Sequence, residues 1–196
     1  MKSGLHDAGY IRKHSVTALR PLKTYVIEII KIETQKNVTD LVALAREIWT
    51  EHFAPIIGKA QVDYMLGKFQ SKPAINAQLR RGYEYYLLTE DGLNKGYTAI
   101  VPDRNADQLM VSKLYVSKSA RGRGFGRTLL NFSEEICRER NISTLWLTCN
   151  KNNADSVNWY IQMGFKNTGS IIMDIGEGFI MDDYRMEKTV VQHALP

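Results

Sequence analysis

Apolar positions along this chain switch between two periods, one near 3.6 and one of 2. Residues 25–33 are rich in Ile and Val and read as a first strand. Leu41, Leu44, Ala45, Ile48 and Trp49 then recur at helical spacing, with Thr39 or Asp40 placed to cap the helix. Phe53-Ala54-Pro55 breaks that stripe. Val62, Met65, Leu66 and Phe69 predict a second helix, and Pro73 suits the first turn of a third. From residue 83 the pattern changes. Residues 83–89 are aromatic and β-prone, Asp91-Gly92 forms a turn, and residues 96–101 return as the second arm of a hairpin. After a polar turn, residues 108–117 form another strand and run into Arg121-Gly122-Arg123-Gly124-Phe125-Gly126.

A strong amphipathic helix follows, from residue 124 to about residue 140. Leu129, Leu130, Ser133, Ile136 and Cys137 share one face, and Arg138 and Arg140 suit the negative end of the helix dipole. Residues 142–149 form a strand. Asn152 or Asn153 can cap a helix that runs to Met163 and stops at Gly164. Residues 165–175 and 178–188 pair around Gly176-Glu177-Gly178. Hairpins mixed with one strand–helix–strand crossover predict an α+β fold: a mixed, mostly antiparallel central sheet with helices on both faces. The glycine spacing fits neither a doubly wound dinucleotide fold nor a Walker loop. No repeat or interdomain linker is visible. The expected organisation is a basic arm over residues 1–22 and a single domain over residues 23–196.

Composition narrows the function classes. The apolar and charged fractions are those of an ordinary soluble protein. No apolar run approaches the roughly 18–20 residues that span a bilayer, and the N-terminal stretch lacks the apolar core of a secretion signal. The two cysteines, Cys137 and Cys149, form no CxxC or Cys/His cluster. A cytoplasmic protein without a metal is expected. The net charge of +5 invites a nucleic-acid reading. However, Lys2, Arg12, Lys13, Arg20 and Lys23 stand against Asp7 alone in residues 1–25, so the remainder is nearly neutral. No nucleic acid and no membrane are expected as partners.

The turn at residues 121–126 is where chemistry concentrates. Glycines let the backbone approach a ligand and adopt dihedrals closed to other residues. The helix start supplies unpaired N–H groups and partial positive charge, and Arg121 and Arg123 add charge-assisted donors. This describes an anion site, most simply for a pyrophosphate. An ordinary basic loop before a helix is the alternative that these residues alone leave open.

Arg121-x-x-Gly124-x-Gly126 resembles the acyl-coenzyme A signature (Gln/Arg-x-x-Gly-x-Gly/Ala) of the GNAT N-acetyltransferases. Leu114-Tyr115-Val116 is similar to that family's strand along the pantetheine arm. Asn153-Ala154, Trp159-Tyr160 and Gly164-Phe165 resemble its downstream Asn-x-Ala…Tyr…Gly-Phe pattern. The element order matches over residues 25–188. The resemblance implies acetyl-CoA as co-substrate, held by Leu114, Tyr115, Val116, Arg121, Gly122, Arg123, Gly124, Phe125, Gly126, Arg127, Thr128, Asn153, Ser156 and Tyr160. It implies a backbone N–H on a bulged strand, near Val116, for the developing oxyanion. Tyr160 matches the family's general acid, and a phenol of pKa about 10 suits protonation of a thiolate. Core packing is the alternative for Tyr160, and a helix cap for Asn153.

These residues leave the general base open. The strand at 108–116 holds no acid, which leaves Asp107, Glu84 or a water relay. Asp174, Glu177, Asp182 and Asp183 gather around the last hairpin, where carboxylates suit a cationic acceptor; a solvated charged turn is the alternative. Trp49, Phe53 and Tyr64 either wall the acceptor site or belong to the core. The Gly178-Phe179…Asp182-Asp183-Tyr184…Met186-Glu187-Lys188 ending resembles bacterial polyamine-acetylating members of the family. The resemblance therefore implies transfer to a primary amine, a small di- or polyamine. A peptide or protein acetyltransferase and a non-catalytic acyl-CoA-binding regulator are the alternatives, and a homodimer fits family habit.

Overall fold

The computed structural model describes residues 25–103 and 105–192. The expected basic arm at residues 1–22 lies outside the described residues. A strand β1 (Ile27–Lys31) leads into helices α1 (Gln35–His52), α2 (Ala54–Ile57), α3 (Lys59–Phe69) and α4 (Lys72–Arg80). Strands β2 (Glu84–Glu90), β3 (Leu93–Asp103) and β4 (Gln108–Val116) follow. Helix α5 (Phe125–Glu139), strand β5 (Thr144–Asn150), helix α6 (Ala154–Gln162) and strands β6 (Lys166–Gly176) and β7 (Phe179–Thr189) complete the order. Among the described residues no helix is long and apolar enough to cross a membrane.

The strands form one sheet in the order β1-β2-β3-β4-β5-β7-β6. Every neighbouring pair is antiparallel except β4 and β5, which are parallel and joined through α5. This is the mixed, mostly antiparallel α+β sheet expected from the sequence. The β4–β5 ladder pairs only Gln108 with Thr144, Leu109 with Leu145 and Met110 with Trp146. Beyond Met110 the two strands part.

The alternation of side chains assigns each face. Leu109 and Val111 of β4, Leu145, Leu147 and Cys149 of β5 and Met186 of β7 pack with Leu130, Ile136 and Cys137 of α5 and Tyr160 of α6. Tyr85, Leu87, Tyr97 and Ala99 pack on the other face with Val38, Leu41, Leu44, Ala45 and Ile48 of α1 and Ile75 of α4. Leu41, Ala45, Leu129 and Leu145 are fully buried. Each such leucine contributes about 1.5–3 kcal/mol of burial.

The first helix starts a turn earlier than its apolar stripe suggests. Thr34, not Thr39 or Asp40, is the cap: its hydroxyl accepts from the Asn37 N–H and the Asn37 side chain returns to the Thr34 N–H. The polar residues of that first turn carry no apolar signal, so the stripe concealed it. At the far end of the sheet, α3 fixes the β6–β7 hairpin. Tyr64 and Lys68 both donate to the Ile175 carbonyl. Gly176, at φ 94°, lies so close that a Cβ there would stand 2.7 Å from the Tyr64 hydroxyl.

Candidate active site

Strand β4 delivers the chain to a short 3-10 turn, Lys118–Ala120, and then to the glycine turn before α5. Gly122 has φ 73° and Gly124 has φ 86°, both left-handed, and no atom would crowd a Cβ at either position. The need for glycine there is dihedral. Gly126 is different: a Cβ would stand 3.4 Å from the Trp159 ring, so it sets the approach of α6 to α5. Helix α5, like α2 and α3, has no side-chain cap and no acid in its first turn, whereas Thr34, Ser71 and Asn153 cap α1, α4 and α6. Its leading N–H groups are therefore without a side-chain acceptor, the condition under which a helix start can take an anion.

The two arginines of the turn divide. Arg121 is exposed and donates through Nε to the Val116 carbonyl at 3.1 Å, with no ion pair among the described residues. Its terminal nitrogens make no hydrogen bond among the described residues. Arg123, expected to do the same, instead forms a two-pronged pair with Glu90 on β2, with Nη1 at 2.8 Å from Oε2. Its guanidinium also lies 5.0 Å from the Phe125 ring centre. The Arg123 side chain therefore braces the turn. The Phe125 ring is likewise buried, among Leu88, Ala120 and Leu129. Arg127 is exposed, and the Thr128 hydroxyl returns to the Gly124 carbonyl at 3.3 Å.

The parting of β4 from β5 exposes a strand edge. Ser117 N–H bonds to Lys95 O on β3 at 2.9 Å, and Tyr115 O also faces β3, within 2.7 Å of a Cβ built on Gly96. Alternation then turns the N–H and C=O groups of Leu114 and Val116 toward the open side. Their side chains lie on the α5 face. Tyr115 is turned the other way, its ring 5.6 Å from Trp49, 5.8 Å from Phe53 and 5.2 Å from Tyr97. The register shift between β3 and β4 leaves Ser112 as the extra residue. The bulge thus sits at Ser112 rather than near Val116, and Leu114 is the first open-edge N–H after it.

Helix α6 reaches the same gap from the α5 face. Asn153 is buried; its Oδ1 caps the helix by accepting from Ser156 N–H at 3.4 Å, and its amide meets His52 Nε2 at 3.4 Å. Burial and the nearby Arg121 charge lower the His52 pKa, while Asp155 and Glu51 act in the opposite direction. Tyr160 is buried between Trp159 at 5.0 Å and Phe165 at 5.6 Å, beside Cys149 and Tyr115. Its hydroxyl has no hydrogen-bond partner among the described residues. Burial raises its pKa far above the usual phenol value, so it is held protonated.

The last hairpin does not gather its four acids. Asp174 and Glu177 are exposed at its tip. Asp182 faces α6 and pairs with Lys151. Asp183 alone points to the opposite face, 5% exposed, beside Tyr115, Thr148 and Asn150. Burial is the main cause that raises its pKa, with Asp182 adding to the rise and Thr148, Asn150 and Lys151 opposing it. Both alternative bases are occupied in structural pairs. Glu84 takes both prongs of Arg140, at 2.6 and 2.8 Å, and the Tyr86 hydroxyl at 2.7 Å. Asp107, at φ 52°, accepts from the Ser143 backbone and hydroxyl. Trp49 and Phe53 are buried in one cluster with Val62, Met65, Leu66 and Ile175, against which Tyr64 packs.

The profile of the acetyltransferase (GNAT) family matches residues 41–165, which includes the turn, β4, α5 and α6. The chain belongs to the GNAT family of acetyltransferases. It is 24% identical over 172 residues to an uncharacterized N-acetyltransferase in the pepI 3' region of Lactobacillus delbrueckii subsp. lactis, covering 84% of this chain and 98% of that one. Among solved structures it resembles the PaiA N-acetyltransferase of Thermoplasma acidophilum in complex with coenzyme A. That likeness has a TM-score of 0.67 and 21% identity and covers 84% of this chain and 99% of the other. YncA of Salmonella typhimurium, solved with acetyl-CoA, matches with a TM-score of 0.57 and 19% identity over 87% and 98%.

Acetyl-CoA is the co-substrate of GNAT enzymes, and the uncapped N-terminus of α5 with the open β4 edge fits its anionic and amide-bearing parts. Among the described residues, no group of three His, Cys, Asp or Glu could hold a metal ion. Sequence reasoning missed two residues near this centre. His52 meets Asn153 from 101 positions away, a pairing with no local signature. Lys113 lies beside the bulge, bonded to Gln78 Oε1 at 2.9 Å and over the Tyr83 and Tyr85 rings; burial pulls it down to about 8. A lysine at an inward strand position was the available signal.

Proposed function

We propose that this GNAT enzyme transfers acetyl from acetyl-CoA to the primary amine of a small di- or polyamine. One observation carries the reading. The parted edge of β4 joins two unlike faces: the glycine turn and the Tyr160 hydroxyl on one, and the buried Asp183 carboxylate on the other. In this reading Gly122, Gly124, Gly126, Arg121 and the leading N–H groups of α5 hold the pyrophosphate. Arg127, Thr128 and Ser156 border the coenzyme, and the Leu114 and Val116 backbone groups bind its amide arm and acetyl carbonyl. Asn153 fixes the start of α6, and Tyr160 at its far end donates a proton to the departing sulfur. A carboxylate without a basic side chain bonded to it suits a cationic acceptor.

The test is acceptor-dependent thiol release from acetyl-CoA with spermidine, putrescine, aminoglycosides, amino acids and short peptides. Turnover with the di- and polyamines is expected. Turnover with peptides alone, or tight acetyl-CoA binding with no acceptor-dependent release, overturns the polyamine reading.

A further inference from the structure

We propose that Asp183 is the general base, taking the proton from the acceptor ammonium on the face of the sheet opposite Tyr160. The inference rests on the acetyl-transfer reading above and assigns the one role that the sequence left open.

The geometry follows from strand alternation. On β5, Leu145, Leu147 and Cys149 pack toward α5 and α6, so Trp146, Thr148 and Asn150 occupy the other face. On β7, Met186 packs toward α5 and α6, and Tyr184 and Asp182 share its parity. Met181 and Phe179 pack with α1 and α3 on the opposite side, and Asp183 is in their register. Asp183 pairs with Asn150 at the end of β5, where β4 and β5 have already separated. Cys149 on β5 packs in one cluster with Tyr160, its neighbour Asn150 pairs with Asp183, and both Asp183 and Tyr160 interact electrostatically with Tyr115 of β4. The carboxylate and the phenol therefore flank one gap from opposite faces. That is the arrangement that direct transfer requires, with a base where the amine arrives and an acid where the sulfur departs.

The groups facing Asp183 decide its proton affinity. Thr148 and Asn150 on β5 and Tyr115 on β4 lie on its side, and Asp182 on β7, Cys149 on β5 and Lys151 just beyond β5 act on it through the sheet. Lys151 is bound to Asp182 on the far side. Burial disfavours both a bare carboxylate and a bare ammonium, so the two proton affinities converge when an acceptor enters. The acceptor R–NH3+ gives one proton to Asp183, and the freed lone pair attacks the thioester carbonyl carbon. The C–N bond forms and the C–S bond breaks. The leaving thiolate takes the Tyr160 proton, which is replaced by the second proton lost from the acylated nitrogen through water. Asp183 then releases its proton to solvent.

The test compares wild type, Asp183→Asn and Asp183→Glu by acetyl-CoA calorimetry and by kcat and kcat/KM from about pH 5 to 9, using the best amine acceptor. Asp183→Asn should bind acetyl-CoA as wild type does and lose about 100-fold or more in kcat. The wild-type kcat/KM should fall toward acid as Asp183 protonates. That limb should vanish in Asp183→Asn and persist in Asp183→Glu. A kcat in Asp183→Asn within about threefold of wild type, or a loss confined to KM with the acid limb intact, overturns the assignment. If Asp183→Asn does not fold, the wild-type profile still decides, because the absence of an acid limb overturns the assignment by itself. Wild type that releases no thiol with any amine overturns the transfer reading instead, and this inference with it.

Discussion

Tyr160→Phe removes one oxygen and should separate packing from chemistry. The ring is buried, with Trp159 at 5.0 Å and Phe165 at 5.6 Å, and phenylalanine preserves both contacts. The hydroxyl gives up no hydrogen bond among the described residues. A typical hydrogen bond is worth about 0.5–1.5 kcal/mol, so the stability change should fall below about 0.5 kcal/mol. For a domain of this size that is less than about 2 °C in Tm. Positioned proton transfer is worth about 10²–10⁴ in rate, or about 2.7–5.4 kcal/mol at about 1.36 kcal/mol per decade. The same oxygen should thus count several times more in the transition state than in the fold. Burial raises the phenol pKa, which keeps the donor form populated below its ordinary value of about 10. The deficit should therefore be equal at about pH 6 and pH 9. Thermal melting, acetyl-CoA calorimetry and thiol-release kinetics on one preparation supply the three numbers. A kcat within about threefold of wild type removes Tyr160 from the acid role, and a Tm loss of more than about 4 °C shows that its hydroxyl is structural.

The remaining predictions concern the glycine turn. Arg121→Ala should weaken acetyl-CoA binding by about 10–150-fold in calorimetry, the worth of a charge-assisted bond of about 1.5–3 kcal/mol; unchanged affinity would place the pyrophosphate elsewhere. Arg123→Ala should act in the opposite sense, lowering Tm through the loss of its Glu90 pair while coenzyme affinity falls less than in Arg121→Ala. The reverse order of effects would contradict the division between the two arginines. Gly124→Ala must hold alanine at φ 86°, a cost of about 1–2 kcal/mol. That should lower Tm by about 2–8 °C, and an unaltered Tm would show that the turn relaxes without penalty.

The sequence by itself determined the elements and the donor chemistry. Their signals are local: apolar periods of 2 and 3.6, glycines where φ is positive, Asn153 three residues before the N–H it caps, and Tyr160 a fixed distance along the same helix. Adjacent residues settle such features, so they survive without tertiary context. Only the tertiary structure decided which side chains meet. Arg123 finds Glu90 across 33 positions, and His52 finds Asn153 across 101. The bulge at Ser112 depends on the register between β3 and β4, not on any signature within β4. Asp182 and Asp183 are adjacent and identical in composition, yet one turns to Lys151 and the other to the opposite face, beside Thr148 and Asn150. Alternation guarantees that they part. Which face each receives is fixed by how β7 docks beside β5, a choice made by packing between segments far apart in the chain.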